Sequence, residues 1–397
     1  MQKPLSAKIK DGIKQLSIEP YLFLIMFGYN VRLISLQSLF HDRACRVSLN
    51  FSQDICNELE SDDNTDEQIA AVTYGNNLYN IFVMISTIPA LIVASFVGPW
   101  SDRYSRKYPL LIATGGVLVD SSLQCIITSF PNASPYWFLV SATISGSCGG
   151  LIIMMSGTYS YMSDVTTERS RQVRFAVLEF FTILATPLGS LIGGEVFKVG
   201  GYLPVMIIGA CSFALGLLWV RFIVLETKPR RFDITKKQMF NDIFKQDNIK
   251  ESFRTCIKPR AGNLRLQIWL LLFVSFSIKL VHMGSLAIGF PYTRHVFKWQ
   301  VPRFSYTTAS FSSLNAVTTL ALVPMLNKRL LVHEAAVGLV GILSLMAKMV
   351  IFSVTVYEWL IFYAWISGTL FACGGIAVRS RISKLVSRHE LGTYMLL

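Results

Sequence analysis

Apolar and polar positions alternate along this chain in long blocks, not residue by residue. Uncharged stretches of about 20 residues are separated by short polar turns, the pattern expected of bilayer-crossing helices. At 1.5 Å of rise per residue, about 20 residues cross roughly 30 Å of hydrocarbon. The runs fall at approximately 20–40, 77–98, 109–130, 136–163, 175–197, 202–224, 266–290, 305–326, 335–356 and 359–380, about ten in all. They predict an all-α, polytopic transmembrane bundle. Six runs precede a polar segment from Glu226 to Arg265, and four follow it. This divides the chain into a first bundle at 1–225 with an external loop at 41–75, a cytoplasmic linker at 226–265, and a second bundle at 266–397. Within the linker, "FNDIFKQDNIKESFR" has the spacing of an amphipathic helix lying on the inner leaflet. The apolar stretch after Lys14 is too long for a signal-peptide core and lacks a small-residue cleavage site, so it reads as span 1.

Composition agrees with a lipid solvent. Hydrophobic residues make up 52% of the chain and charged residues 15%, against about 25% charged in ordinary globular proteins. The net charge of +13 would suit nucleic acid, but its distribution excludes that partner. Of the 37 Lys and Arg, 26 fall in the tails and loops on one side, 6 on the other, and 5 within spans. This asymmetry places the N-terminus in the cytoplasm. Neither the seven Cys nor the five His show metal-ligand spacing, so no metal or other cofactor is expected. No nucleophile–base motif or phosphate loop points to an enzyme. Cys45 and Cys56 share the first external loop, where they form either a disulfide or two free thiols. Asn50-Phe51-Ser52 in the same loop is a glycosylation sequon. Asn132-Ala133-Ser134 is a second, set too close to the membrane to be favoured.

The turn between spans 2 and 3 reads "GPWSDRYSRKYP". Gly98, Asp102, Arg103, Arg106 and Lys107 stand there in an order that resembles the signature turn of the major facilitator superfamily, G-x-x-x-D-R-x-G-R-R/K. Ser105 replaces the second glycine. A carboxylate at a helix end pairs with Arg and complements a helix N-terminus, so the turn is expected to latch and release during transport. The Trp-Ser-Asp form of this turn, "SDVTTERSRQVRFAVLE" at 163–179, "RACRVSLNFSQDICNEL" in loop 1, "LVHMG" in span 7 and "VRSRISKLV" at 378–386 resemble the proton-coupled folate transporter-like family, solute carrier family 46, in its invertebrate members. That family has twelve spans. "HELGTYMLL" falls where span 11 begins, so the chain is expected to lack the last two.

Ionisable residues within spans are costly and commonly functional. Seven of those within the runs are candidates: Arg32, Asp120, Glu179, Lys279, His282, Lys348 and Arg379. The resemblance implies that spans 1, 4, 7 and 10 line a central cavity and that 3 and 9 are peripheral. Asp120 and Lys348 are then packing or snorkelling residues. From the helix rise, Glu179 lies about 7 Å from the inner end of span 5, and Arg379 about 30 Å from the outer end of span 10, at a similar level. Lys279 and His282 share one face of span 7, about 20 and 24 Å from its inner end. The resemblance implies proton coupling at Glu179 and His282 and cargo binding at Arg379. Lys279 and Arg32 join the cargo site as cavity cations. Leu139 and Ser147 replace an Arg and an Asp of the folate transporters, which points away from folate itself.

Cations outnumber anions in the inferred cavity. The expected cargo is therefore a small organic anion moved with protons by alternating access, the proton gradient being the driving force. The bilayer is the remaining partner, in the plasma membrane or a lysosomal or endosomal membrane. A second reading is a truncated, non-transporting isoform or pseudo-transporter that acts as a membrane binding partner.

Overall fold

A computed structural model of the protein describes residues 18–57, 65–227, 239, 241–245, 263–297, 299, 301–325 and 334–386. The predicted linker helix and "HELGTYMLL" lie largely outside these residues. The described chain is all-helical: α1 Glu19–Arg43, α2 Thr65–Arg103, α3 Lys107–Ser129, α4 in two segments (Tyr136–Ser147 and Gly150–Val165), α5 Glu168–Gly200, α6 Tyr202–Phe222, α7 Leu264–Phe297, α8 Val301–Pro324, α9 Glu334–Ser353, and α10 in two segments (Glu358–Ser367 and Ala372–Leu385). Among the described residues, nine helices are long and apolar enough to cross a membrane. The exception is α8. Its 24 residues would reach about 36 Å, but "SYTTASFSS" makes its outer half too polar to count. Pro89 and Pro187 lie inside α2 and α5, while Pro324 ends α8.

The helices form two compact units. The first contains the described residues of 18–158 and 188–245. Its core is α1 against α6 and α3 against α6, with α2 against the first segment of α4. Phe40, Phe82 and Phe138 pack in one cluster with Leu36, Leu39 and Met206. Lipid-facing surfaces cannot drive this association by hydrophobicity, so close approach through small residues matters more. At Gly193 on α5 an added Cβ would lie 2.2 Å from the carbonyl oxygen of Val31 on α1. That contact leaves no room for a side chain at Gly193. At Gly189 the same atom would lie 2.8 Å from Asn30 Cβ.

The second unit contains the described residues of 159–187 and 263–386. Here α9 packs on both segments of α10, and α7 packs on the inner segment. Ile268 of α7 is buried with Val378, Ile382 and Val386.

Arg32 sits in the first unit and is only 4% exposed. Its Nη1 donates to Ser121 Oγ at 2.6 Å and to Gln124 Oε1 at 2.9 Å. Its Nη2 stands 3.8 Å from Asp120 Oδ2, and Gln124 donates in turn to Asp120 at 2.7 Å. The guanidinium also lies 5.0 Å from the Phe213 ring centre and 5.3 Å from that of Tyr29. Asp120, expected to be a packing residue, is thus the carboxylate of a network joining α1 to α3. Within this network Arg32 Nη1 is already engaged by Ser121 and Gln124.

Removing one partner of a buried pair strands the other charge, at a cost of about 3–5 kcal/mol, whereas removing both costs much less. Arg32→Met and Asp120→Asn should each lower the thermal stability of the purified protein strongly. The double substitution Arg32→Met/Asp120→Leu should recover most of the loss. Additive single effects in that cycle would show that the two groups do not interact.

Candidate functional site

Two polar clusters stand out, one in each unit. In the first unit α2 ends at Arg103 and α3 begins at Lys107, so the signature turn joins a helix C-terminus to a helix N-terminus. Asp102 and Arg106 are buried and ion-paired. Arg106 Nη1 also donates to Ser101 Oγ at 2.8 Å, and Ser101 donates to the carbonyl of Gly98 at 2.9 Å. The guanidinium is thereby tied back to the last turn of α2. Arg103 points outward and is exposed. Lys107 Nζ donates to the carbonyls of Arg221 and Val224, both at 2.8 Å, and so neutralises the end of α6.

Ser105, the departure from glycine, has its own function in this turn. Its Oγ accepts from the Tyr108 N–H at 3.1 Å and donates to the carboxylate of Glu226. A hydroxyl accepting from a first-turn N–H is the chemistry of an N-cap. Glu226 completes the cap by accepting from the backbone N–H of Arg106 at 2.9 Å and of Lys107 at 3.3 Å. Sequence reasoning missed Glu226 because it sits at the first position of the predicted linker. A lone carboxylate just beyond span 6, facing a basic turn, was the available signal.

Beside this cap, Trp100 Nε1 donates to the Met239 carbonyl at 2.8 Å and Tyr104 donates to Asp242 Oδ2 at 2.8 Å. Lys245 and Tyr104 together hold the Asp242 carboxyl below its ordinary range.

The second cluster lies in the second unit. Glu179 is contributed by α5, Arg379 by the inner segment of α10, and Tyr159 by the inner segment of α4. Glu179 Oε2 accepts twice, from Tyr159 at 2.6 Å and from Arg379 Nη1 at 2.7 Å. The Arg379 guanidinium also stacks over the Tyr159 ring, 4.3 Å from its centre. The side chains of Arg379 and Glu179 are 18% and 11% exposed, so the pair is largely removed from water but still reachable. The residues whose shared depth was inferred from helix rise are in contact. Tyr159 was overlooked, although the same depth estimate on "SGTYSYM" would have placed a hydroxyl at this level.

Lys279 lies within electrostatic range of both Arg379 and Glu179. His282 stacks its ring on Phe371 of α10, 4.4 Å between centres, and its Nδ1 is buried with no hydrogen-bond partner among the described residues. Arg171 closes the inner end of this unit by donating to the Ser383 carbonyl at 2.8 Å and the Ser163 carbonyl at 3.4 Å.

Between α1 and α2, Cys45 and Cys56 are joined by a disulfide, with 5.9 Å between Cα atoms. Of the two readings left open by the sequence, the structure shows this one. Asn50 lies within the closed loop, exposed, with a positive φ of 51°. Among the described residues no group of three or more His, Cys, Asp or Glu could hold a metal ion.

The comparisons with known proteins agree with this architecture. The profile of the Major Facilitator Superfamily matches residues 23–397. A human lysosomal proton-coupled steroid conjugate and bile acid symporter is 25% identical over 397 residues, covering 96% of this chain and 83% of that protein. The same symporter from Pongo abelii is 26% identical over 287 residues, covering 68% of this chain and 60% of the relative, so that match spans less than two thirds of the relative's length. The proton-coupled folate transporter of Rattus norvegicus is 22% identical, with 94% of this chain and 80% of that protein covered. In fold, the chain is similar to the crystal structure of the human organic anion transporter MFSD10 (TETRAN), with a TM-score of 0.72, 16% identity, and coverage of 99% of this chain and 89% of that one. With the profile matched over nearly its whole length and the helical architecture in agreement, the chain belongs to the Major Facilitator Superfamily, whose members are multi-pass secondary transporters of small solutes.

Proposed function

We propose that this protein is a proton-coupled symporter of an organic anion and a member of solute carrier family 46. The observation that carries the reading is the shared oxygen of Glu179, which accepts from Tyr159 and Arg379 together. While Glu179 is ionised, it occupies the guanidinium that suits a carboxylate or sulfate best. A proton on Glu179 removes that competitor and frees Arg379 for an anion of the cargo. Proton and anion therefore favour each other's binding, and by linkage the favour is reciprocal. That is the requirement for symport.

The charge balance supports an anionic cargo. Around Glu179 the second unit carries Arg379, Lys279 and Lys348 as cations, with His282 near them. A single carboxylate cannot neutralise this group, and uncompensated charge in low dielectric is expensive. Bile acids, folates and the sulfate and glucuronide conjugates of steroids, the kinds of cargo for which the relatives are named, are anions at neutral pH. In this reading His282 assists proton movement, and Lys279 meets the cargo beside Arg379. Arg32, the remaining predicted cargo ligand, contributes through the packing network described above. The bundles at 1–225 and 266–397 alternate access across the membrane, joined by the linker at 226–265. The N-terminus is cytoplasmic, loop 1 is external and glycosylated at Asn50, and the compartment is lysosomal or the plasma membrane. The signature turn, Gly98 with Asp102, Arg103, Arg106 and Lys107, acts as the inner latch.

Glu179→Gln mimics the protonated carboxyl. It should abolish net uptake driven by a proton gradient while leaving exchange of labelled for unlabelled anion across proteoliposomes largely intact. Unchanged pH dependence of uptake would assign Glu179 to structure alone.

Arg379→Ala should weaken carboxylate competitors about tenfold or more, with Arg379→Lys retaining part of the affinity, since a lost charged hydrogen bond costs about 1.5–3 kcal/mol. The check is a competition series of carboxylates against their neutral amides. Equal competition by the amides would remove the anionic cargo from the reading.

Asp102→Ala breaks a buried ion pair in the signature turn, which contributes no group to the proposed cargo site. Turnover should fall several-fold with the apparent affinity kept within about twofold. A large affinity loss at normal turnover would contradict the latch.

A further inference from the structure

Lys348 lies on α9, the helix for which the resemblance implied a packing or snorkelling role. It is about 8 Å of helix rise from Ser353, the outer end of α9, near enough for its ammonium to reach the interface. Its stem turns instead onto α10. The residue it meets there is Gly368, where a Cβ would lie 2.7 Å from Lys348 Cδ and 3.1 Å from its Cβ. Only glycine leaves room for the lysine to cross at this point.

The crossing coincides with a break in α10. Residues Gly368–Leu370 form a 3-10 turn between the two helical segments. The loosened backbone is satisfied from neighbouring helices: Ser344 of α9 donates to the Ser367 carbonyl at 2.5 Å and accepts from the Leu370 N–H at 3.2 Å. Ser344 is one turn before Lys348 on the same face of α9, so a single stripe both holds the break and threads through it.

Beyond the break Lys348 Nζ reaches Ser285 Oγ of α7 at 3.4 Å, its one hydrogen-bond partner among the described residues, and no carboxylate pairs with it there. Ser285 is bonded to the His282 carbonyl at 2.8 Å. His282, with its own Nδ1 unpartnered, interacts electrostatically with Lys348 and Lys279. An ammonium held in the interior of a membrane protein by a single long hydrogen bond lacks the anionic partner that its desolvation requires.

We propose that Lys348 is a cargo-positioning residue, delivered by a peripheral helix through the break in α10, where it receives a second acidic group of the cargo above the level of Arg379. The proposal rests on the anion reading and sharpens it. Arg379 selects an acidic group and couples it to Glu179. Lys348, one level higher, rewards a cargo that carries a further acidic group at its other end.

The test uses the purified full chain and two probes, estradiol 3-sulfate and estradiol 3,17-disulfate. Lys348→Met keeps the apolar stem and removes the charge. It should weaken the disulfate about tenfold or more and the monosulfate no more than about twofold, with Lys348→Arg holding the disulfate within about threefold of the parent. Gly368→Ala, which blocks the crossing and leaves the charge in the chain, should reproduce the selective loss. In a background lacking every cysteine except Cys45 and Cys56, Lys348→Cys should react with a water-borne anionic thiosulfonate, and the disulfate should slow that reaction.

If the parent binds neither sulfate, the anion reading itself fails. If it binds both and Lys348→Met weakens them equally or not at all, only the role of Lys348 is overturned. An inert Lys348→Cys overturns it too, independently of any ligand, because a cargo residue must meet water.

Discussion

A charge in hydrocarbon is tolerable only when something nearby neutralises it and satisfies its hydrogen bonds. That constraint organises both units, with opposite outcomes. In the first, Arg32 is met by a hydroxyl, an amide and a carboxylate, all from α3, with two aromatic rings beside it. Every component comes from the protein, so the network is complete in itself and fixes α1 against α3. In the second, a single carboxylate stands among several cations, and one of its oxygens accepts from both Tyr159 and Arg379. Such a cluster is completed only by a proton, an anion, or both. The two buried arginines, similar in chemistry, differ in how fully protein groups engage their donors, and the transport role proposed for Arg379 rests on that difference.

The same accounting applies at the signature turn, where the unmet groups are backbone N–H groups at the start of α3. The family pattern resembled here carries a glycine at the position of Ser105, leaving the N-terminus to be capped from elsewhere. In this chain Ser105 accepts from the first turn and binds Glu226, which itself takes two further N–H donors. The cap fastens the start of α3 to the chain leaving α6, and Lys107 repeats the connection with opposite charge at the C-terminal carbonyls of α6. A departure from a motif is here a replacement of one way of finishing a helix by another.

Much of this was legible in the sequence. Span positions follow from apolar length, and the contact of Glu179 with Arg379 was foreshadowed by nothing more than helix rise. The polar half of α8 was the one place where length alone overstated apolarity. What stayed hidden were groups whose importance depends on a neighbour's orientation. Tyr159 reads as an ordinary aromatic of an apolar span until its hydroxyl meets Glu179. Glu226 reads as linker until the turn folds against it. Asp120 and Lys348 were both set aside as peripheral because the family resemblance implies a helix's place in the bundle, but it does not say how far a long side chain reaches out of it. For Arg32 the partners lie about ninety residues away in sequence, on a different helix, where no local pattern could announce them.

The interruption of α10 has a counterpart in α4, and the pair shows why the reach of Lys348 is built into the architecture. Both helices begin with a short segment, Tyr136–Ser147 and Glu358–Ser367, break, and continue as a longer second segment, Gly150–Val165 and Ala372–Leu385. In α4 the break is carried by the chain itself: Gly149 and Gly150 take φ values of +88° and +41°, a region that costs a residue with a Cβ much more than it costs glycine. In α10 no residue takes a positive φ. The break is a tightened 3-10 turn, and its carbonyl and N–H are supplied with partners by Ser344 from α9. Equivalent helices of the two halves are thus interrupted by different means. The first uses backbone freedom and leaves its neighbours unconstrained. The second depends on a side chain from α9, and once α9 must hold that turn, the residue one helical turn along it is brought against the same gap. The lysine reaches α7 because the helix beside it is already committed to keeping the way open.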